Sequence, residues 1–148
     1  MFASVVTADY VYQTFVNTDD ITDVVAVPSI AGTMVAPPGT TLPALLLYMT
    51  ASEYGGVIDA TPAADVNSET IRLEVRAING GTSDSPVYPV AKAQFLALAG
   101  QTVSHTFDGD TYTLTFMAVG EVPLTTLVDG ANLYRQLGTI YQVDVFRA

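Results

Sequence analysis

Proton transfer near neutral pH falls first to histidine, and the chain has one, His105. It lies in a segment of alternating polarity, opposite Tyr112 once Asp108-Gly109 is read as a turn. No G-x-S-x-G nucleophile elbow accompanies it, so it reads as a structural strand histidine. Paired carboxylates hydrolyse glycosides, and Asp19, Asp20 and Asp23 lie close together. Asn17-Thr18-Asp19-Asp20 is more simply a helix cap or Asx turn. Asp108 and Asp110 offer two oxygens to calcium, but an EF-hand loop needs more carboxylates and a distal Glu, which leaves a plain turn. Zero cysteines remove disulfides, thiolate metal sites and a cysteine nucleophile together. Neither G-x-G-x-x-G nor G-x-x-x-x-G-K is present to cradle a phosphate. The residues predict no catalytic set, no metal site and no cofactor, hence not an enzyme.

Charge bears on partners. Fifteen acidic and five basic residues give −10, with 14% of the chain charged and 49% hydrophobic. Average soluble domains are about 25% charged. Nucleic-acid grip needs clustered Lys and Arg, so specific DNA or RNA binding is not expected. Arg72 and Arg76 flank Glu74, an arrangement that holds a partner acid or forms a self-compensating solvated strand face. Residues 24–52 carry no charge, long enough for a bilayer crossing at about 20 residues. Pro28, Gly32, Pro37, Pro38, Gly39 and Pro43 break that run into pieces that lipid would not tolerate. Met1–Ser4 shows no basic region or signal-peptide core, so synthesis in a cytoplasm without a membrane anchor is expected.

The elements that must position these residues are mostly strands. The chain length allows one domain, 1–148, burying roughly two-thirds of its unfolded surface. Phe2–Val16 is ambiguous, since Val6, Ala8, Tyr10 and Tyr12 alternate while Val6/Tyr10 and Val11/Phe15 repeat at helical spacing. A short segment, Ile21–Val27, precedes the proline-rich loop. Leu42-Pro43 opens Ala44–Met49, a strand buried on both faces. After the Gly55-Gly56 break and a polar stretch, Ile71, Leu73, Val75 and Ala77 point one way and Arg72, Glu74 and Arg76 the other. Gly80-Gly81 and Ser83-Asp84-Ser85 punctuate the chain before a helix over Pro86–Ala99, with Tyr88, Ala91, Phe95 and Leu98 on one stripe, prolines in its first turn and Gly100 at its end. Asp108-Gly109 suits a type I′ hairpin turn, setting Phe107 against Asp110, His105 against Tyr112 and Val103 against Leu114. A second turn, Asp129-Gly130, leads to a closing strand where Tyr141, Val143 and Val145 alternate with Gln142 and Asp144. The predicted class is α+β and β-rich: a mixed or antiparallel sheet with a β-hairpin and about two helices packed on it.

Taken in order, these parts resemble the tail terminator (tail completion) proteins of long-tailed bacteriophages. The resemblance rests on Tyr10 and Phe15, then Thr18-Asp19-Asp20-Ile21-Thr22-Asp23-Val24-Val25, then Ala36-Pro37-Pro38-Gly39-Thr40-Thr41 delivering Leu42-Pro43 into an apolar strand. It continues through the charged strand 69–77, the helix, and Asp129-Gly130…Tyr134-Arg135…Tyr141-Gln142-Val143-Asp144-Val145-Phe146. It covers most of the chain and lies in the order of diffuse patterns. The hairpin at 103–119 is longer and more regular than such proteins lead one to expect. The resemblance implies a homo-oligomeric ring of six subunits at the head-proximal end of the tail tube. Such a ring stops tube polymerisation and offers a docking surface to the neck or head-tail connector. The location implied is the virion, and the partners are the tail tube protein and the connector. Six subunits at −10 would carry roughly −60, a field that lets DNA pass without specific binding. The combination of residue types at hot spots makes Tyr134 and Arg135, with Arg72, Glu74 and Arg76, candidates for contacts between subunits. Another neck, tail or baseplate component remains an alternative, as does a β-sandwich ligand-binding module using the eight tyrosines.

Overall fold

Helix and strand periodicities compete over the opening segment, and the helix prevails. Residues Ala3–Val16 form helix α1, burying Ala3, Val6, Thr7, Val11 and Phe15. Phe2, before its first turn, supplies no side-chain cap. Glu69 does this from across the molecule: its Oε2 accepts the Ala3 backbone N–H at 3.1 Å, placing a carboxylate where the helix end favours negative charge. The computed structural model describes residues 2–55, 67–82 and 84–148. Met1, Gly56 with the polar stretch after it, and Ser83 lie outside the described residues.

The Asn17–Asp20 segment joins two helices. Asn17 Nδ2 donates to the Gln13 carbonyl at 2.8 Å and so closes α1. Thr18 precedes the one-turn helix α2, Asp19–Thr22, without capping it, and its hydroxyl donates back to Thr14. The segment expected over Ile21–Val27 is therefore the end of α2 and a turn, followed by a 3-10 turn at Val27–Ser29.

The remaining elements are β1 (Ile30–Ala31), β2 (Ala44–Gly55), β3 (Ser68–Gly80), α3 (Val87–Leu98), β4 (Thr102–Phe107), β5 (Asp110–Asp129) and β6 (Asn132–Arg147). The strands form one six-stranded sheet ordered β1-β2-β3-β6-β5-β4. All ladders are antiparallel except β1 with β2. The class is β-rich α+β, as the composition and alternation predict. β6, though late in the chain, lies at the centre of the sheet between β3 and β5.

The first face of the sheet carries the main core. Leu45, Leu47, Ile71, Leu73, Val75, Tyr112, Leu114, Phe116, Tyr141, Val143 and Val145 meet α1 and α3 there. Each such fully buried large side chain contributes about 1.5–3 kcal/mol. On the opposite face Ala44, Leu46 and Ile78 form a second cluster with Ala31, Ala36 and Leu42. Residues 44–47 are thus buried on both sides, as an uninterrupted apolar run requires.

The first hairpin has the predicted register, Phe107 with Asp110, His105 with Tyr112 and Val103 with Leu114. Asp108 and Gly109 both take positive φ, 49° and 84°, the type I′ requirement. The second hairpin turns one residue later than the expected Asp129-Gly130, because Asp129 pairs with Asn132 and leaves Gly130, with positive φ, and Ala131 as the turn. The buried stripe of α3 differs from the expected one. Ala91 and Leu98 are buried, but Tyr88 is 61% and Phe95 44% exposed. The inward face is Val87, Val90, Ala91, Gln94 and Leu98, whose spacing fits a helix equally well and includes a polar residue.

Candidate functional site

Antiparallel register places the five candidate interface residues. Arg72, Glu74 and Arg76 pair with Gln142, Ile140 and Gly138, and Tyr134 lies opposite Gly80 at the end of the same ladder. Alternation puts these four on the face away from the helices. Arg135, one residue on from Tyr134, points to the helix side and pairs through Nε with Asp84 Oδ1 just before α3. The five therefore do not form one patch.

The expected solvated, self-compensating row at 72–76 is also only half present. Arg72 is exposed, but Arg76 is 7% exposed. Its Nη1 donates to Gln136 Oε1 at 2.8 Å and its Nη2 to the Met34 carbonyl. The guanidinium carbon lies 5.3 Å from the centre of the Tyr48 ring, within cation–π range. Tyr48 has its pKa pushed up to about 12, first by burial and then by Glu74, against the lowering influence of Arg76. Its partner across the ladder is Gly138, where β3 and β6 approach so closely that a Cβ would stand 2.0 Å from the Val75 carbonyl oxygen.

His105 acquires a partner that sequence reasoning missed. Its Nε2 lies 2.7 Å from Asp9 Oδ2, and its ring meets Tyr10 edge-on at 5.4 Å. Asp9 also accepts from Gln13 Nε2 at 3.1 Å. The pair ties the outward flank of α1 to the edge strand β4. No hydroxyl nucleophile is hydrogen-bonded to His105 among the described residues, and the geometry is that of a clamp between elements. A second polar link lies in the core, where Tyr141 Oη donates to Gln94 Oε1 at 2.7 Å and Gln94 Nε2 donates to Thr139 Oγ1 at 2.8 Å. Burial raises the Tyr141 pKa, opposed by its hydrogen bonds with Thr139 and Gln94. A polar residue on an otherwise apolar helix stripe is the signal that would have found Gln94.

The surface holds the larger features. Strand β5 runs 20 residues, but β4 pairs with it only over Asp110–Thr115. From Met117 to Asp129 its outer edge has no strand partner among the described residues. Register shifts fall at 118/120 and 122/125, the second around Pro123, where a missing N–H is tolerated. Val119, Leu124 and Val128 on this arm, and Leu133 on its return, are exposed. A further apolar surface lies on α3, where Tyr88, Phe95 and Leu96 are exposed and border a groove that the helix shares with β5 and β6 through Glu121 and Leu137.

Asp19, Asp20 and Asp23 lie on and just after α2, while Asp108 stands in the hairpin turn and Asp110 opens β5. Among the described residues no three His, Cys, Asp or Glu side chains gather as a metal site would need. No helix there is long and apolar enough to cross a membrane. No protein-family model matches the chain, and no curated protein matches it.

Proposed function

We propose that the chain is a structural subunit of a bacteriophage virion, a tail terminator that closes into a six-membered ring at the head-proximal end of the tail tube. There it stops tube growth and offers the neck or head-tail connector a docking surface. The observation that carries this reading is the pair of uncovered apolar surfaces, the β5–β6 arm and the exposed face of α3. Monomeric soluble proteins rarely leave such patches without a purpose. Two different patches on one subunit suit a heterologous interface, which closes into a ring when the rotation per subunit permits. The shifts in β5 register and Pro123 blunt that edge as a template for strand addition, so the arm engages a neighbour through its side chains.

The low charged fraction follows, because a subunit that hides surface against copies needs less charge to stay in solution. The acidic excess supplies a wall that repels DNA in transit. The β-sandwich reading fits less well, because the described strands form one sheet with helices on one face rather than two facing sheets. Native mass spectrometry with negative-stain imaging tests the proposal. Six-fold rings that bind tube or neck protein are expected, and a strict monomer at high concentration that binds neither overturns it.

A further inference from the structure

Arg76 is a buried cation whose bonded partners are all neutral. Among the described side chains no carboxylate oxygen lies within ion-pair distance of it, although acids outnumber bases three to one in the chain. Its hydrogen bonds go to an amide and a backbone carbonyl, and its Nε is buried without a partner. A buried ion whose hydrogen bonds go only to neutral groups is costly, and an orphaned N–H adds to that cost.

Arg76 borders a cavity of about 160 Å³ between the sheet and the loop after β1, walled by Met34, Leu46, Ile78, Leu127 and Tyr134. An apolar cavity near this size accepts a benzene-sized group. Asp129 borders it from the exposed hairpin turn. Met34 and Val35 close the loop side, and both are largely exposed.

We propose that this cavity binds a small monocarboxylate with an apolar body, independently of any ring. The carboxylate meets the guanidinium side-on through Nε and Nη2, the fork geometry that makes arginine selective for it. The apolar body lies against Leu46, Ile78 and Leu127. Nε has no accessible surface of its own and Nη2 is held by the Met34 carbonyl, so binding shifts the segment around Met34: Nη2 exchanges that carbonyl for the ligand and Nε is uncovered beside it. Asp129 opposes the anion from the rim.

Calorimetry with 3-phenylpropionate and its amide, on the full chain, tests this alongside methionine-methyl NMR. The acid is expected to bind roughly tenfold or more tighter than the amide, the scale of one charge-assisted hydrogen-bond gain, and to move the Met34 methyl signal. Asp129→Asn should tighten the acid alone. Arg76→Met should erase the preference for acid over amide. If that variant fails to fold, Leu127→Trp fills the cavity while keeping Arg76 and should abolish binding of both compounds. N-acetylphenylalanine in place of the free acid separates the two sources of such a group: tighter binding identifies a peptide C-terminus, weaker binding a free acid. Equal binding of acid and amide, or a Met34 methyl unmoved at saturating acid, overturns the proposal.

Discussion

Tyr141 and Gln94 show how much a single buried polar pair contributes. With the phenol removed, Gln94 Oε1 is left inside the core without its donor, and an orphaned buried acceptor costs about 1–3 kcal/mol. Tyr141→Phe should therefore lower the urea midpoint at pH 7, read by circular dichroism. The same residue governs the alkaline limit. A tyrosine whose pKa is raised on folding contributes stability that is complete below pH 10 and is lost as pH climbs toward the folded value. For Tyr48 that window runs from 10 to about 12, and for Tyr141 it begins at the same point. Wild type should lose stability above pH 10 more steeply than Tyr141→Phe, and parallel curves would count against burial of that phenol. Neither effect was legible in the sequence, where Tyr141 reads as one more inward strand residue. The partner that matters comes from a helix more than forty positions away. His105 is similar: its strand position and cross-strand neighbour follow from the Asp-Gly turn, but Asp9 lies on an element whose type the local pattern left open.

At the level of elements, period-two alternation was reliable where one face is buried and the other wet. β3, β6 and the first hairpin have the predicted faces because a one-residue slip would turn every apolar side chain outward. The α3 stripe failed for the complementary reason. Aromatic side chains drew the expected face toward Tyr88 and Phe95, whereas close packing on the sheet selects the smaller Val87, Val90, Ala91 and Gln94. Helix α1 takes its cap from Glu69, which no local pattern reveals. Within the sheet, Gly138 is the tightest point. A methyl group there meets the Val75 backbone, which cannot rotate away as a side chain would, and overpacking of this kind costs typically 1–3 kcal/mol. Gly138→Ala should lower the thermal midpoint and, by pushing β3 from β6, expose Arg76. Slower amide exchange across Val75–Ala77 in the variant than in wild type would contradict that account.

Across the whole molecule, the apolar arm and the apolar helix face belong to different elements, β5–β6 and α3, and a head-to-tail interface makes a distinctive demand of them. Leu124→Lys with Val128→Lys disables the arm, and Leu96→Asp disables the helix face. These side chains are exposed, so each variant should keep its fold while failing to form rings. Mixed together, the two variants retain one intact contact per pair, and native mass spectrometry should show assemblies that stop at two subunits. Rings from either variant alone would reject these surfaces as the interface. The composition pointed toward such hidden surface, but which residues form it depended on where the long arm leaves β4 behind. The central place of β6 has a further consequence, for the order of events on the ribosome. β3 and β5 emerge first, each with an edge that only β6 will satisfy, so the sheet stays split into halves until the final strand has been translated. During that interval the nascent chain displays two unpaired edges and a core that lacks Tyr141, Val143 and Val145, which is when a holding chaperone has most to protect.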